Sequence, residues 1–248
     1  MFNRSQFKDL AKQQIQGKIG ILFLCSLVIW AILTVVSFLI SSIMPSPLTS
    51  VLQSVLADPE MIFEHPEYLI PMLTPSILSE IVKGILQSLV AVGFTMSTVM
   101  IYLGVTHGRT PQVQDIFKGF SIWGKALWLH VLMVFFTLAW SLLFLIPGMV
   151  KSLAYSMAPR ILAENPGMTA RQALRESQRI TNGYKLDLWV LALSFLGWIL
   201  LVVPTFGLIM IYLTPYMETT SAHAYHFLKQ QAQPQEDARE PVYQETEG

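Results

Sequence analysis

Two long apolar blocks constrain this chain more than any other feature. Ala126–Ala163 runs for 38 residues with two charges, Lys151 and Arg160, and is broken by Pro147-Gly148. Leu188–Leu228 runs for 41 residues with one charge, Glu218, and is broken by Pro204 and Gly207. A helix needs about 20 apolar residues to cross a bilayer, so each block reads as a hairpin of two spans joined by a tight turn. Two further apolar runs come earlier, Ile19–Ile43 and Gly84–Thr106. The apolar core of the first is too long for a cleaved signal peptide, and Ser41-Ser42-Ile43-Met44-Pro45 is a poor cleavage site. The pattern predicts an all-α fold: a polytopic transmembrane helical bundle of about six spans, near 19–43, 81–104, 124–146, 149–165, 187–203 and 206–228.

Charge tests that threading. With the N-terminus in the cytoplasm, fourteen of the 16 basic residues fall on the inside, counting Arg160 in the inner half of the fourth span, and only Lys83 and Lys151 do not. Loop 44–80 carries Asp58, Glu60, Glu64, Glu67 and Glu80 without a Lys or Arg, which suits an outer loop. Single helices over Ala126–Val150 and Leu188–Tyr216 would instead put Arg171, Arg175, Arg179 and Lys185 outside. The expected threading has both termini cytoplasmic. Charged residues make up only 13% of the chain and the net charge is zero, so nothing points to a nucleic-acid partner. The single cysteine, Cys25, rules out an intrachain disulfide and a Cys-based metal site.

Two short amphipathic helices complete the soluble parts. In residues 3–17, Phe7, Leu10, Ala11 and Ile15 share a face and Gly17 is a stop, which predicts an interfacial helix in the headgroup layer. In residues 169–182, Thr169 and Gln172 have capping-box spacing and Gly183 ends the helix on the cytoplasmic side. Arg171, Arg175 and Arg179 recur every four residues and so line one face. That stripe reads either as a site for anionic lipid headgroups or as a topological determinant on a solvated face. The integral membrane domain is expected over 1–228, with 229–248 a disordered acidic cytoplasmic tail.

The most pointed chemistry lies at membrane depth. Arg160 is 12 residues past Gly148, and Glu218 is 12 past Phe206. At about 1.5 Å per residue, these opposite charges share a depth on two inward-running helices. Tyr155 and Pro159 stand beside the first, and Tyr212, Pro215 and Tyr216 beside the second. Each proline frees the carbonyl four residues before it. Buried charge of this kind is paired or functional, so Arg160 and Glu218 read as a structural ion pair or as a polar site for an ion or headgroup. The two hairpins also share landmarks: Trp140, Pro147, Tyr155 and Pro159 match Trp198, Pro204, Tyr212 and Pro215 in order. Repeated spans of that sort occur in transporters, and convergent hairpin chemistry accounts for them equally. His223 and His226 are three apart on the sixth span and His130 lies in the third, but no H-E-x-x-H pattern supplies a third ligand. The expectation is no metal, no cofactor and no catalytic residue.

Several short motifs carry a family resemblance. They are Leu145-Ile146-Pro147-Gly148-Met149-Val150-Lys151, Tyr155-Ser156-Met157-Ala158-Pro159, Leu162-Ala163-Glu164-Asn165-Pro166, Ala173-Leu174-Arg175-Glu176-Ser177, Asn182-Gly183, Ser194-Phe195-Leu196-Gly197-Trp198, Pro215-Tyr216 and Tyr225. Together with Lys12 and Gly17-Lys18, they resemble a bacterial integral-membrane family catalogued as domain of unknown function 975. A looser similarity links the chain to the membrane domain found beside glycerophosphodiester phosphodiesterases. The resemblance implies a multi-span protein of the bacterial cytoplasmic membrane and carries over no catalytic residue. Two functions follow as expectations. One is a non-enzymatic membrane module acting in envelope or lipid organisation, with membrane lipids, protein partners or further copies of itself as partners. The other is a small transporter or flippase-like protein using the level of Arg160 and Glu218.

Overall fold

A computed structural model describes residues 2–44, 53, 56–57 and 69–237. Among these the chain is helical, with no strand. The helices are α1 (Arg4–Ile15), α2 (Ile19–Ile43), α3 (Leu69–Thr106), α4 (Trp123–Leu143), α5 (Leu145–Tyr155), α6 (Ala158–Glu164), α7 (Ala170–Ile180), α8 (Lys185–Leu193), α9 (Leu196–Leu200) and α10 (Met210–Asp237); a 3-10 helix covers Val113–Ile122. The chain divides into two compact units, Leu27–Val92 and the combination of Met1–Ser26 with Gly93–Gly248.

Among the described residues, three helical stretches are long and apolar enough to cross a membrane: Ile19–Ile43, Ile77–Thr106 and Val113–Leu142. The bent pair Ala170–Ile180 and Lys185–Leu200 turns by 89° and makes a fourth if counted as one span. Of the about six expected spans, the fourth and fifth are interrupted. The fourth breaks between Tyr155 and Ala158 because Pro159 has no N–H and instead opens α6. The fifth breaks at Ser194–Phe195 and gives way to turns after Leu200. The sixth lies within the single helix α10, but Glu218, Thr219, Thr220, Ser221 and His223 make it less apolar than the others. The two hairpins therefore differ in structure, despite their shared landmarks.

Other boundaries move as well. The outer loop 44–80 lies largely outside the described residues, and its last part, from Leu69, is already helix, with Pro71 and Pro75 in the opening turns of α3. The cytoplasmic tail expected from 229 continues α10 as far as Asp237, and 238–248 lie outside the described residues. The 3-10 helix was hidden because a tertiary contact makes it. Gly119 N–H donates to Ser97 Oγ at 2.8 Å, and a Cβ on Gly119 would sit 2.3 Å from Gly93 O. Phe120 packs edge-on to Phe94 at 5.0 Å and closes that contact.

In the larger unit, α1 lies on α10. Its face of Phe7, Ala11 and Ile15 is buried, with Phe7 and Phe2 each 5.5 Å from the Phe227 ring. Protein thus fills the face expected in the headgroup layer; only Leu10 of that set stays exposed. Helix α7 packs on α4, α5, α6 and α10. It carries the expected capping box: Gln172 N–H donates to Thr169 Oγ1, and Thr169 N–H donates to Gln172 Oε1 at 2.8 Å. Gly183 follows at φ 85°, a left-handed stop that a side chain would strain. In the smaller unit Gln87 Nε2 donates to Ser37 Oγ at 3.0 Å. Lys83, one of the two basic residues that fall outside the inward bias, is buried there and paired with Glu80 at 3.0 Å.

Many large apolar side chains stand exposed. Phe38 is 71% exposed, Leu142 88% and Phe206 95%. Hydroxyls on the helices donate to their own backbone, as Thr34 does to Trp30 O and Ser42 to Phe38 O, each at 2.8 Å. That arrangement suits a medium without water, where every polar hydrogen needs an internal acceptor.

Candidate functional site

Pro159 positions the site. By ending α5 at Tyr155 it leaves backbone groups at the break without helical partners. Ser177 of α7 takes both kinds: its Oγ accepts from Met157 N–H at 3.2 Å and donates to Ala154 O at 2.7 Å. Thr181 Oγ1 donates to Ser177 O at 2.7 Å and backs it up. The short helix α6 is thus held at a set angle with Arg160 on its inner face.

The structure brings Arg160 and Glu218 together. Arg160 Nη2 donates to Glu218 Oε2 at 2.8 Å, while its Nη1 reaches Ser156 O at 3.5 Å. The arginine side chain is 10% exposed and the glutamate 36%. Arg160 is therefore neutralised and held from both ends, with Glu218 at the more open side. The flanking residues go elsewhere. Tyr155 is buried 6.4 Å from the Phe136 ring. Tyr216 is buried between Phe195, 5.4 Å away, and Tyr212, 5.7 Å away, with Lys12 of α1 over its ring at 5.8 Å. Pro215 is buried inside α10, and Pro159 begins α6.

The arginine stripe is divided. Arg171 and Arg175 are exposed. Arg179 holds Glu176 with one edge of its guanidinium, Nη2 and Nε donating at 2.7 and 2.8 Å, and its Nη1 donates to Ala232 O at 3.2 Å. Nearby on α1, Lys8 lies over the Phe195 ring at 4.5 Å and reaches Ser194 O at 3.4 Å. Burial, then the charges of Lys12 and Arg4, lowers its pKa below the usual lysine value.

One cluster had no sequence signal strong enough to find it. One turn beyond Arg160, Glu164 Oε2 accepts from Tyr225 OH at 2.9 Å and from Lys229 Nζ at 2.5 Å. Its other oxygen, Oε1, stands 3.8 Å from His226 Nδ1. His107, at the end of α3, lies edge-on to His226 at 4.8 Å between ring centres. A cleft of about 650 Å³ opens beside them, lined by His107, Arg109, Gln112, Asp115, Lys118 and Glu164 among others. Glu164 stands in the family-like motif Leu162-Ala163-Glu164-Asn165-Pro166, but nothing in the sequence joins it to two histidines on other helices.

No curated protein and no solved structure matches this chain. Residues 142–232, which carry α5 to α9, the ion pair and most of α10, match the family described as "Protein of unknown function (DUF975)".

Proposed function

We propose that the protein is a non-enzymatic module of the bacterial cytoplasmic membrane, with both termini cytoplasmic, that organises envelope lipids or partner proteins. The observation that carries this reading is the direct contact between Arg160 and Glu218 at 2.8 Å, which joins α6 to α10 as packing does. A transport site at that level would need the two charges free to exchange partners with a substrate. The cleft of the larger unit is lined by a different set of residues, one turn further along α6. Exposed Arg171 and Arg175 remain available to anionic lipid headgroups, whereas Arg179 is occupied by Glu176.

Complementation tests the reading. In a deletion strain with a measurable envelope or lipid-composition phenotype, Arg160→Met/Glu218→Leu should restore function, because an apolar pair of similar size replaces a structural contact. Purified protein in vesicles should move neither fluorescent phospholipid nor entrapped anions faster than protein-free vesicles. Flux by the native protein that disappears in Glu218→Gln, with the fold intact, would establish the transporter instead.

A further inference from the structure

We propose that His107, Glu164 and His226 form a binding site for a divalent transition-metal cation of the Zn²⁺ class. One donor atom from each residue lies within 4.8 Å of the other two. They come from the end of α3, the end of α6 and the middle of α10, so an ion would add a further tie between three helices that already meet here through Thr106, His226, Glu164 and Tyr225.

The hydrogen bonds fix which nitrogens are free. Thr106 Oγ1 has one proton, and it donates to Leu103 O at 2.7 Å. Its 2.9 Å contact with His226 Nε2 must therefore be one in which the imidazole N–H donates. The neutral ring then carries its lone pair on Nδ1, which faces Glu164 Oε1 at 3.8 Å. His107 Nδ1 contacts Leu103 O at 2.8 Å; a carbonyl only accepts, so Nδ1 donates and Nε2 is left with a lone pair. The carboxylate is oriented in the same way, since Tyr225 and Lys229 hold Oε2 and leave Oε1. Each ligand thus has one polar atom anchored by an oxygen or a cation and a second left as a donor. That is the outer-shell arrangement that orients metal-binding imidazoles and carboxylates.

Two lone pairs pointed at one another repel unless a positive charge lies between them. A proton on His226 or a metal ion would supply it. The metal is favoured by the third donor, His107, which a shared proton does not need. Two imidazoles and a carboxylate suit Zn²⁺ in preference to Mg²⁺ or Ca²⁺, which take oxygen ligands. Bonds to Zn²⁺ of about 2.1 Å put donors roughly 3.4 Å apart, so the three, now within 4.8 Å of one another, must draw inward by roughly 1 Å. His107 and Glu164 both line the cleft, through which water can reach a remaining coordination position. His223 takes no part, because its Nε2 is engaged by Gln14 Oε1 at 2.9 Å.

The test uses full-length protein in detergent, stripped with chelator and titrated with Zn²⁺ by calorimetry, with metal content read by mass spectrometry. The expected result is one Zn²⁺ per chain and a thermal midpoint that rises with free Zn²⁺. Co²⁺ in its place should give visible absorption bands of a nitrogen- and oxygen-ligated ion. His107→Gln should abolish stoichiometric binding and with it the rise of the thermal midpoint on adding Zn²⁺. Thr106→Val, which removes only the partner of His226 Nε2, should weaken binding about 10–100-fold. Absence of stoichiometric Zn²⁺, or equal binding by His107→Gln and the native protein, would overturn the site and leave His226 and Glu164 as a proton-bridged pair.

Discussion

Arg160 and Glu218 do not act alone; a second pair of reversed sense lies beyond them. On α6 the order is Arg160 then Glu164, and on α10 it is Glu218 then Lys229, so each positive group meets a negative one. Sliding α10 to a different register would set like charges against each other, which makes the pairs a device for alignment more than a source of stability. The energetics follow from exposure. Removing one partner of a fully buried pair costs about 3–5 kcal/mol. Glu218 is 36% exposed, and Arg160 keeps a contact with Ser156 O, so Glu218→Gln should cost less. We expect about 1–3 kcal/mol, read as a lower thermal midpoint in detergent. The double variant Arg160→Met/Glu218→Leu should recover most of that loss, since no charge is then left without a partner. Additive losses in the single and double variants would mean that the two side chains contribute independently.

Between residues and the whole molecule, the elements depend on two close approaches. Gly119 seats the 3-10 helix Val113–Ile122 on α3, where an added Cβ would meet backbone atoms 2.3 and 2.4 Å away. Backbone cannot swing aside, so Gly119→Ala should detach that helix and speed tryptic cleavage after Lys118, which is exposed. Unchanged cleavage would show that the segment has room. At the break between α5 and α6, Ser177→Ala should strand Met157 N–H and remove a donor from Ala154 O in a fully buried spot. A loss of about 1–3 kcal/mol is expected, with Ser177→Thr or Ser177→Gly unable to restore the native midpoint. These two approaches also mark what sequence reading could reach. Thr169 with Gln172, and the stops at Gly17 and Gly183, were legible because caps are local. So were the early apolar spans, because hydropathy is additive along a run. The break after Tyr155 was half legible: Pro159 announces a weakened helix, but its completion rests on Ser177 from another helix. The grouping of His107, Glu164 and His226 was not legible at all, since it exists only once three separate helices meet.

At the scale of the whole chain, two independent kinds of evidence bear on how it lies in a membrane. Fourteen of its 16 basic residues fall on one side of the expected threading, and bulky apolar side chains such as Val203, at 82% exposure, cover the outside of the fold. Basic segments are retained in the cytoplasm and apolar surface is retained in lipid. The expected threading puts the turn after α9 and the helix α7 on opposite faces. Single-cysteine labelling in a Cys25→Ser background checks this, and the background is mild because the buried thiol already contacts Gln112 O, an acceptor that a serine hydroxyl also suits. Arg175→Cys is the informative inner position, since Arg175 is exposed on α7, whereas Ser177 on the same helix is fully buried and would not react from either side. We expect an impermeant maleimide to label Pro204→Cys, exposed in the turn between the fifth and sixth expected spans, in intact cells and Arg175→Cys only after the membrane is opened. Reaction of Arg175→Cys from outside would reverse the placement of α7, and with it the assignment of the exposed arginines to the cytoplasmic leaflet.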